Sequence, residues 1–222
     1  MLRDIDIRDI SDGRFYTSAD MVRADTGDCR GCSHCCRQMV DTIFLDPWDM
    51  YQLASAGWPF EMLMREDGAR IELEVADGLI LPHLKPGSDG ACPFLNGQER
   101  CSIHDRRPGF CRLFPLGRYY EGDDFRYILQ VKECIRENRT KIKVRKWLGI
   151  AQLDRYEQYI RQWHAFTARL RRVADETPDL RRQLCMTLLQ EFFAQPWNIS
   201  EDFYLQFENR MKQAAHKCGF SG

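Results

Sequence analysis

Four cysteines stand within eight positions, Cys29, Cys32, Cys35 and Cys36, and four more follow at Cys92, Cys101, Cys111 and Cys134. Thiolates at such spacing are metal ligands: a CxxC turn lets two converge on one centre, and CxxCxxC brings a third around the same loop. Side chains of adjacent residues diverge, so Cys35 and Cys36 do not easily share one tetrahedral ion, and Cys36 is the candidate for a second site or a reactive role. The downstream cysteines are separated by eight, nine and twenty-two residues and form no second knuckle of the kind structural zinc uses. Three clustered thiolates plus a distant one suit a [4Fe–4S] cubane, and Cys92 precedes Pro93 as the remote ferredoxin ligand precedes its proline. Eight thiols also divide into two sets of four, which fits two zinc ions or one cluster plus one zinc. The expected metal ligands are all eight, and the expected cofactor is an iron–sulfur cluster or zinc.

Thiolate-rich sites need cations nearby. Arg30 and Arg37 flank the first cluster, and Arg106, Arg107, Arg112 and Arg118 crowd the last motif. Arg107 and Arg112 are the candidates to meet a bound cofactor or a substrate carboxylate. His104, between Cys101 and Cys111, is a polar loop residue within reach of a ligand or supporting role. Cys185 and Cys218, outside the motifs, read as small apolar fillers. No catalytic base is identified.

The elements that must position these thiols are legible in outline. Asp46 followed by Pro47 opens a helix through "PWDMYQLASA", preceded by a short strand in "DTIFL". "ARIELEVADGLILPHL" alternates about Asp77-Gly78 and reads as a hairpin, as does "LGRYYEGDDFRYILQV". "SADMVRA" reads as a short helix capped by Ser18. "KIKVRK" reads as one solvated face of a strand or helix entrance. Leu153, Tyr156, Ile160, Trp163, Phe166, Leu170 and Val173 recur at helical spacing and define one long amphipathic helix whose aromatic residues pack into a core. Thr177-Pro178 opens a second helix ending at Gln195-Pro196-Trp197, and Ser200 begins a third to about Lys217. The expected fold is α+β: a small irregular cysteine-rich region with short β-hairpins and helices over residues 1–148, packed against a C-terminal helical bundle over 149–222.

The 222-residue chain has a formal net charge of −1, with 32 basic against 33 acidic residues, so no global field points to nucleic acid or a membrane surface. A charged N-terminus and the lack of a spanning apolar run lead us to expect a soluble cytoplasmic protein. The sequence sets no oligomeric state.

The order Cys29-x2-Cys32-x2-Cys35-Cys36, then "CPFL" at Cys92, then "CSIHDRRPGFCRLFPLGR", resembles the zinc- or iron-chelating CxxCxxCC cysteine-cluster family over roughly residues 28–135. That family includes the flagellin lysine-N-methylases. The resemblance implies a metal centre held by these cysteines, and by extension S-adenosylmethionine-dependent methylation of lysine on a protein substrate such as flagellin. No Gly-rich strand-to-helix turn that would cradle an adenosyl group is present in the sequence. The alternative is a non-catalytic module in which zinc organises the loops and the helices bind a partner.

Overall fold

A computed structural model describes residues 6–27, 32–39 and 43–220. In chain order the helices are α1 (Ile7–Ile10), α2 (His34–Arg37), α3 (Pro47–Ser55), α4 (Phe60–Leu63), α5 (Gly109–Leu113), α6 (Val144–Leu148), α7 (Leu153–Glu176), α8 (Arg181–Leu189) and α9 (Phe203–Lys217). The strands are β1 (Met21–Asp25), β2 (Ile71–Ala76), β3 (Leu79–Leu84), β4 (Leu116–Glu121), β5 (Asp124–Leu129) and β6 (Thr140–Lys143). The strands pair as three separate antiparallel ribbons, β1 with β6, β2 with β3 and β4 with β5, which makes the fold α+β.

Both expected hairpins form. In the first, Asp77 and Gly78 take φ of +50° and +79°, the double positive φ that matches the twist of a two-residue turn. In the second, Gly122 at φ +61° lets Glu121 pair with Asp124. The α3 helix starts as its sequence dictates. Asp46 accepts from Asp49 N at 2.9 Å, Asp49 accepts from Asp46 N at 3.0 Å, and Pro47 occupies the first turn.

Three expectations need correction. "SADMVRA" is not a capped helix: Thr17 to Asp20 form a turn, closed by Thr17 N donating to Asp20 Oδ2 at 2.7 Å, and the chain leaves it as β1. Val22 and Ala24 are buried while Met21 and Arg23 are exposed, and Val22 pairs with Ile142, so pairing with β6 overrides the local helix signal. The "KIKVRK" run splits accordingly into the end of β6 and the start of α6. Ser200 does not begin the last helix; it sits in a turn closed by Asn198, and Asp202 is the cap, accepting from Leu205 N at 3.0 Å. Thr177 likewise gives no side-chain cap, and a 3₁₀ turn at Pro178–Leu180 leads into α8 instead. Of "DTIFL", Asp41 and Thr42 lie outside the described residues, and Phe44 makes a single bridge to His83.

One hydrophobic cluster contains residues from both the cysteine-rich part and the C-terminal helices. At its centre Trp48 meets Tyr156 at 5.0 Å between ring centroids, and Tyr159 meets Phe207 at 4.7 Å and Phe203 at 5.1 Å. Tyr156 and Phe166 of the sequence's apolar stripe are buried, as is the neighbouring Tyr159, with Trp163 partly buried against the same core. Among the described residues no helix is long and apolar enough to cross a membrane.

Arg210 ties the bundle's far end. Its guanidinium lies 3.7 Å from the Trp197 ring centroid and donates to the carbonyls of Glu191 at 2.8 Å, Gln195 at 2.9 Å and Pro196 at 2.6 Å. These carbonyls belong to a π turn and the chain reversal after it. Arg210→Met should cost about 3 kcal/mol in urea unfolding, because stranding buried acceptors costs about 1–3 kcal/mol each and water can reach some of them. Unchanged stability would show that the cap is dispensable.

Candidate metal centre

Three chain segments deliver thiols to one place. The first is α2, a single turn in which Cys36 N and Arg37 N both donate to Ser33 O at 2.9 Å. It is fastened to the second segment by Cys92 N donating to Cys36 O at 2.6 Å, Met39 N to Gly90 O at 3.0 Å, and a 2.5 Å ion pair between Arg37 and Glu99. The second segment folds back on itself: Leu95 bridges to Cys101, Ser102 N donates to Phe94 O at 2.8 Å, and Asn96 Oδ1 accepts from Gln98 N and Arg100 N at 3.0 Å each. That closure sets Cys92 and Cys101 near the feet of one loop. The third is α5, which follows Pro108 and carries Cys111.

These segments enclose a cavity of about 310 Å³. Cys32, Cys35, Cys36, Cys92, Cys101 and Cys111 line it, with Met39, Ile43, Leu84, Phe94, Phe114 and Trp147 among the apolar walls. Cys29 lies outside the described residues, and Cys134 is not among the lining residues. Among the described residues, no group of three His, Cys, Asp or Glu side chains is already gathered as an ion site.

The thiols share one electrostatic environment. Burial pushes Cys92, Cys101 and Cys111 upward, and each is raised further by charge on its neighbours. Cys111 feels Cys92, Asp49, Cys101 and Cys35, and is held well above the usual thiol value. Cys35 is raised chiefly by its hydrogen bond with Cys36. Arg107 acts the other way on Cys101. Without a metal the thiols are therefore neutral near pH 7. Their folded values exceed the unfolded value of roughly 8.5, so their contribution to metal-free stability is intact below that pH and is lost as pH rises toward the folded values. Urea unfolding of reduced, metal-free protein should give falling stability from about pH 8 to pH 10. Metal-loaded protein should gain stability over the same interval, because loading already releases those protons. Flat or rising stability in the metal-free form would contradict the coupling.

The arginines divide by role. Arg107 lines the cavity beside His104, donating to its Nε2 at 2.7 Å and its carbonyl at 3.1 Å. Arg112 is not among the lining residues. Its guanidinium donates to Asp105 O at 2.7 Å and Leu148 O at 3.5 Å, so it holds backbone there. Arg106 donates to Gln52, Arg118 to Tyr156 and Arg37 to Glu99, and Arg30 lies outside the described residues. Of the remaining cysteines, Cys185 is buried beneath the first hairpin, its Sγ 3.9 Å from Gly78 O, and Cys218 packs against the core.

Two features escaped the sequence reading. His83 is buried, with Nδ1 3.0 Å from Leu84 O and Nε2 3.6 and 3.5 Å from the carboxylates of Glu72 and Glu74. Counting back from the Asp77-Gly78 turn would have put Glu72 opposite His83. The second is Asp49, buried beneath α5, whose Oδ1 accepts from Gly109 N at 2.6 Å. Burial, and then the neighbouring Asp46 charge, push its carboxyl well above the usual range.

The model of the CxxCxxCC family, described as a putative zinc- or iron-chelating domain, matches residues 28–144, more than half of the chain. The chain belongs to this family. No curated protein and no solved structure matches it.

Proposed function

We propose that this zinc- or iron-chelating protein holds a polynuclear iron–sulfur centre, with Cys35, Cys92, Cys101 and Cys111 as its thiolate ligands and Cys32 and Cys36 beside them. The observation that carries this reading is that thiols from three segments, Cys35, Cys92, Cys101 and Cys111 among them, line one largely apolar cavity of about 310 Å³. A cubane carries its iron and sulfide inside the ring of cysteines and is held from outside, and the low-dielectric wall and few cations suit a cluster whose charge is spread over many atoms.

Purification without air, followed by an optical spectrum and elemental analysis, tests this. A broad absorption near 400 nm with about four irons and four sulfides per chain is the expected result. A colourless protein holding one or two zincs would replace it with the structural-zinc reading. Cys35 is exposed and Phe110, also on the cavity wall, is 45% exposed, which supports a centre that another molecule can approach. The family resemblance alone supports lysine methylation as the reaction. Transfer of label from S-adenosylmethionine to flagellin by the loaded protein would establish it, and no transfer would remove it.

A further inference from the structure

The short helix α5 that carries Cys111 cannot fix its own position. Five residues give one turn, and isolated turns are unstable in water. What holds it comes from outside. At its start, Gly109 N donates to Asp49 Oδ1 at 2.6 Å, while Asp49 Oδ2 accepts from Asp46 N at 3.0 Å. Both oxygens of one buried carboxylate are thus used. Over the same residue stands Tyr156 of α7, whose hydroxyl lies 2.5 Å from where a β-carbon on Gly109 would be. That hydroxyl accepts from Arg118 Nη2 at 2.9 Å, and its ring packs on Trp48 at 5.0 Å. At the other end of α5, Trp147 Nε1 donates to Leu113 O at 3.3 Å.

We infer that Asp49 and Tyr156 are positioning residues of the metal centre, setting Cys111 through Gly109, so that a C-terminal helix outside the family's matched span governs how firmly metal is held. The inference rests on the proposed metal centre. Tyr156 follows the matched residues 28–144, so this control belongs to the part of the chain that the family signature does not describe. Metal ligands are oriented by the groups behind them, and losing such a partner typically costs ten- to a hundredfold in affinity. Coupling of this kind is reciprocal: metal at Cys111 must tighten α7 against α5 by the same factor by which α7 tightens metal.

The chemistry of Asp49→Asn is specific. A carboxamide keeps the shape but offers one acceptor and one donor group, so it can serve Gly109 N–H or Asp46 N–H, not both. Tyr156→Phe keeps the ring and removes only the hydroxyl. Arg210→Met serves as the comparison, since it weakens the bundle without touching α5. Each full-length protein is loaded, its spectrum recorded, and its metal loss to a chelator timed at a fixed interval below its own melting temperature. The expected result is metal loss about tenfold faster in Asp49→Asn, a smaller acceleration in Tyr156→Phe, an altered spectrum of the loaded centre in both, and wild-type behaviour in Arg210→Met. Wild-type retention in Asp49→Asn, or equal metal loss in Arg210→Met, overturns the inference while leaving the centre in place. A wild-type chain that holds no metal overturns the reading beneath it, and the inference with it.

Discussion

Replacing Cys111 with serine should leave a protein with less than about one tenth of its metal and a folding stability lower by several kcal/mol, since metal-binding energy at such a site is also folding energy. Cys111 is the thiol on which the other two segments bear: Cys92, Cys101 and Cys35 all raise it further after burial. A hydroxyl does not replace it. Serine ionises far too weakly and is too hard a donor for iron or zinc in a thiolate site. The loss should appear as disappearance of metal-dependent stabilisation: adding metal raises the melting temperature of the wild type, and Cys111→Ser melts where metal-free wild type melts. Cys185→Ser is the contrasting substitution, because that thiol is buried beneath the first hairpin and contacts Gly78 rather than the cavity. It should keep its metal. Full metal content in Cys111→Ser would remove this residue from the ligand set.

The sequence carried the chemistry further than the geometry. The CxxCxxCC spacing, the Cys-Pro at Cys92 and the last motif were sufficient to read the family, because ligand spacing is a local property. Both tight hairpins and α3 were equally legible, since Asp77-Gly78, Glu121 to Asp124 and Asp46-Pro47 encode their turns and cap within four residues. Where the reading failed, distant pairing had won. Residues 18–24 contain a serine cap signal, and only the approach of β6 more than a hundred residues later makes them a strand. The site is arranged in the same way, by the fold. Arg107 and Arg112 are five residues apart in one motif, yet one faces the cavity and the other is consumed by the carbonyls of Asp105 and Leu148. Nothing in residue type separates them. Asp49 completes a capping box with Asp46, and its other oxygen reaches Gly109 only through the fold.

That buried junction leads to the second large effect. Gly109→Ala should destabilise the protein by about 3 kcal/mol, at the upper end of what overpacking a rigid site costs. The glycine is there for space, not for backbone freedom: it opens a right-handed helix, where alanine would otherwise be favoured. The added methyl would stand 2.5 Å from the Tyr156 hydroxyl and 3.5 Å from Asp49 Oδ1, and neither can yield. The tyrosine ring is wholly buried against Trp48 and its oxygen is held by Arg118, while Asp49 is bound at both oxygens. The clash is with one atom, however, since the next ring carbon of Tyr156 lies 3.8 Å away, an ordinary contact. Tyr156→Phe should therefore relieve it. The single change to phenylalanine costs stability by stranding the Arg118 donor, yet the Gly109→Ala/Tyr156→Phe double variant should be more stable than Gly109→Ala alone. Urea unfolding of the four proteins gives the coupling directly. Additive losses would mean that α5 moves aside to admit the methyl, in which case it does not hold Cys111 in a fixed place.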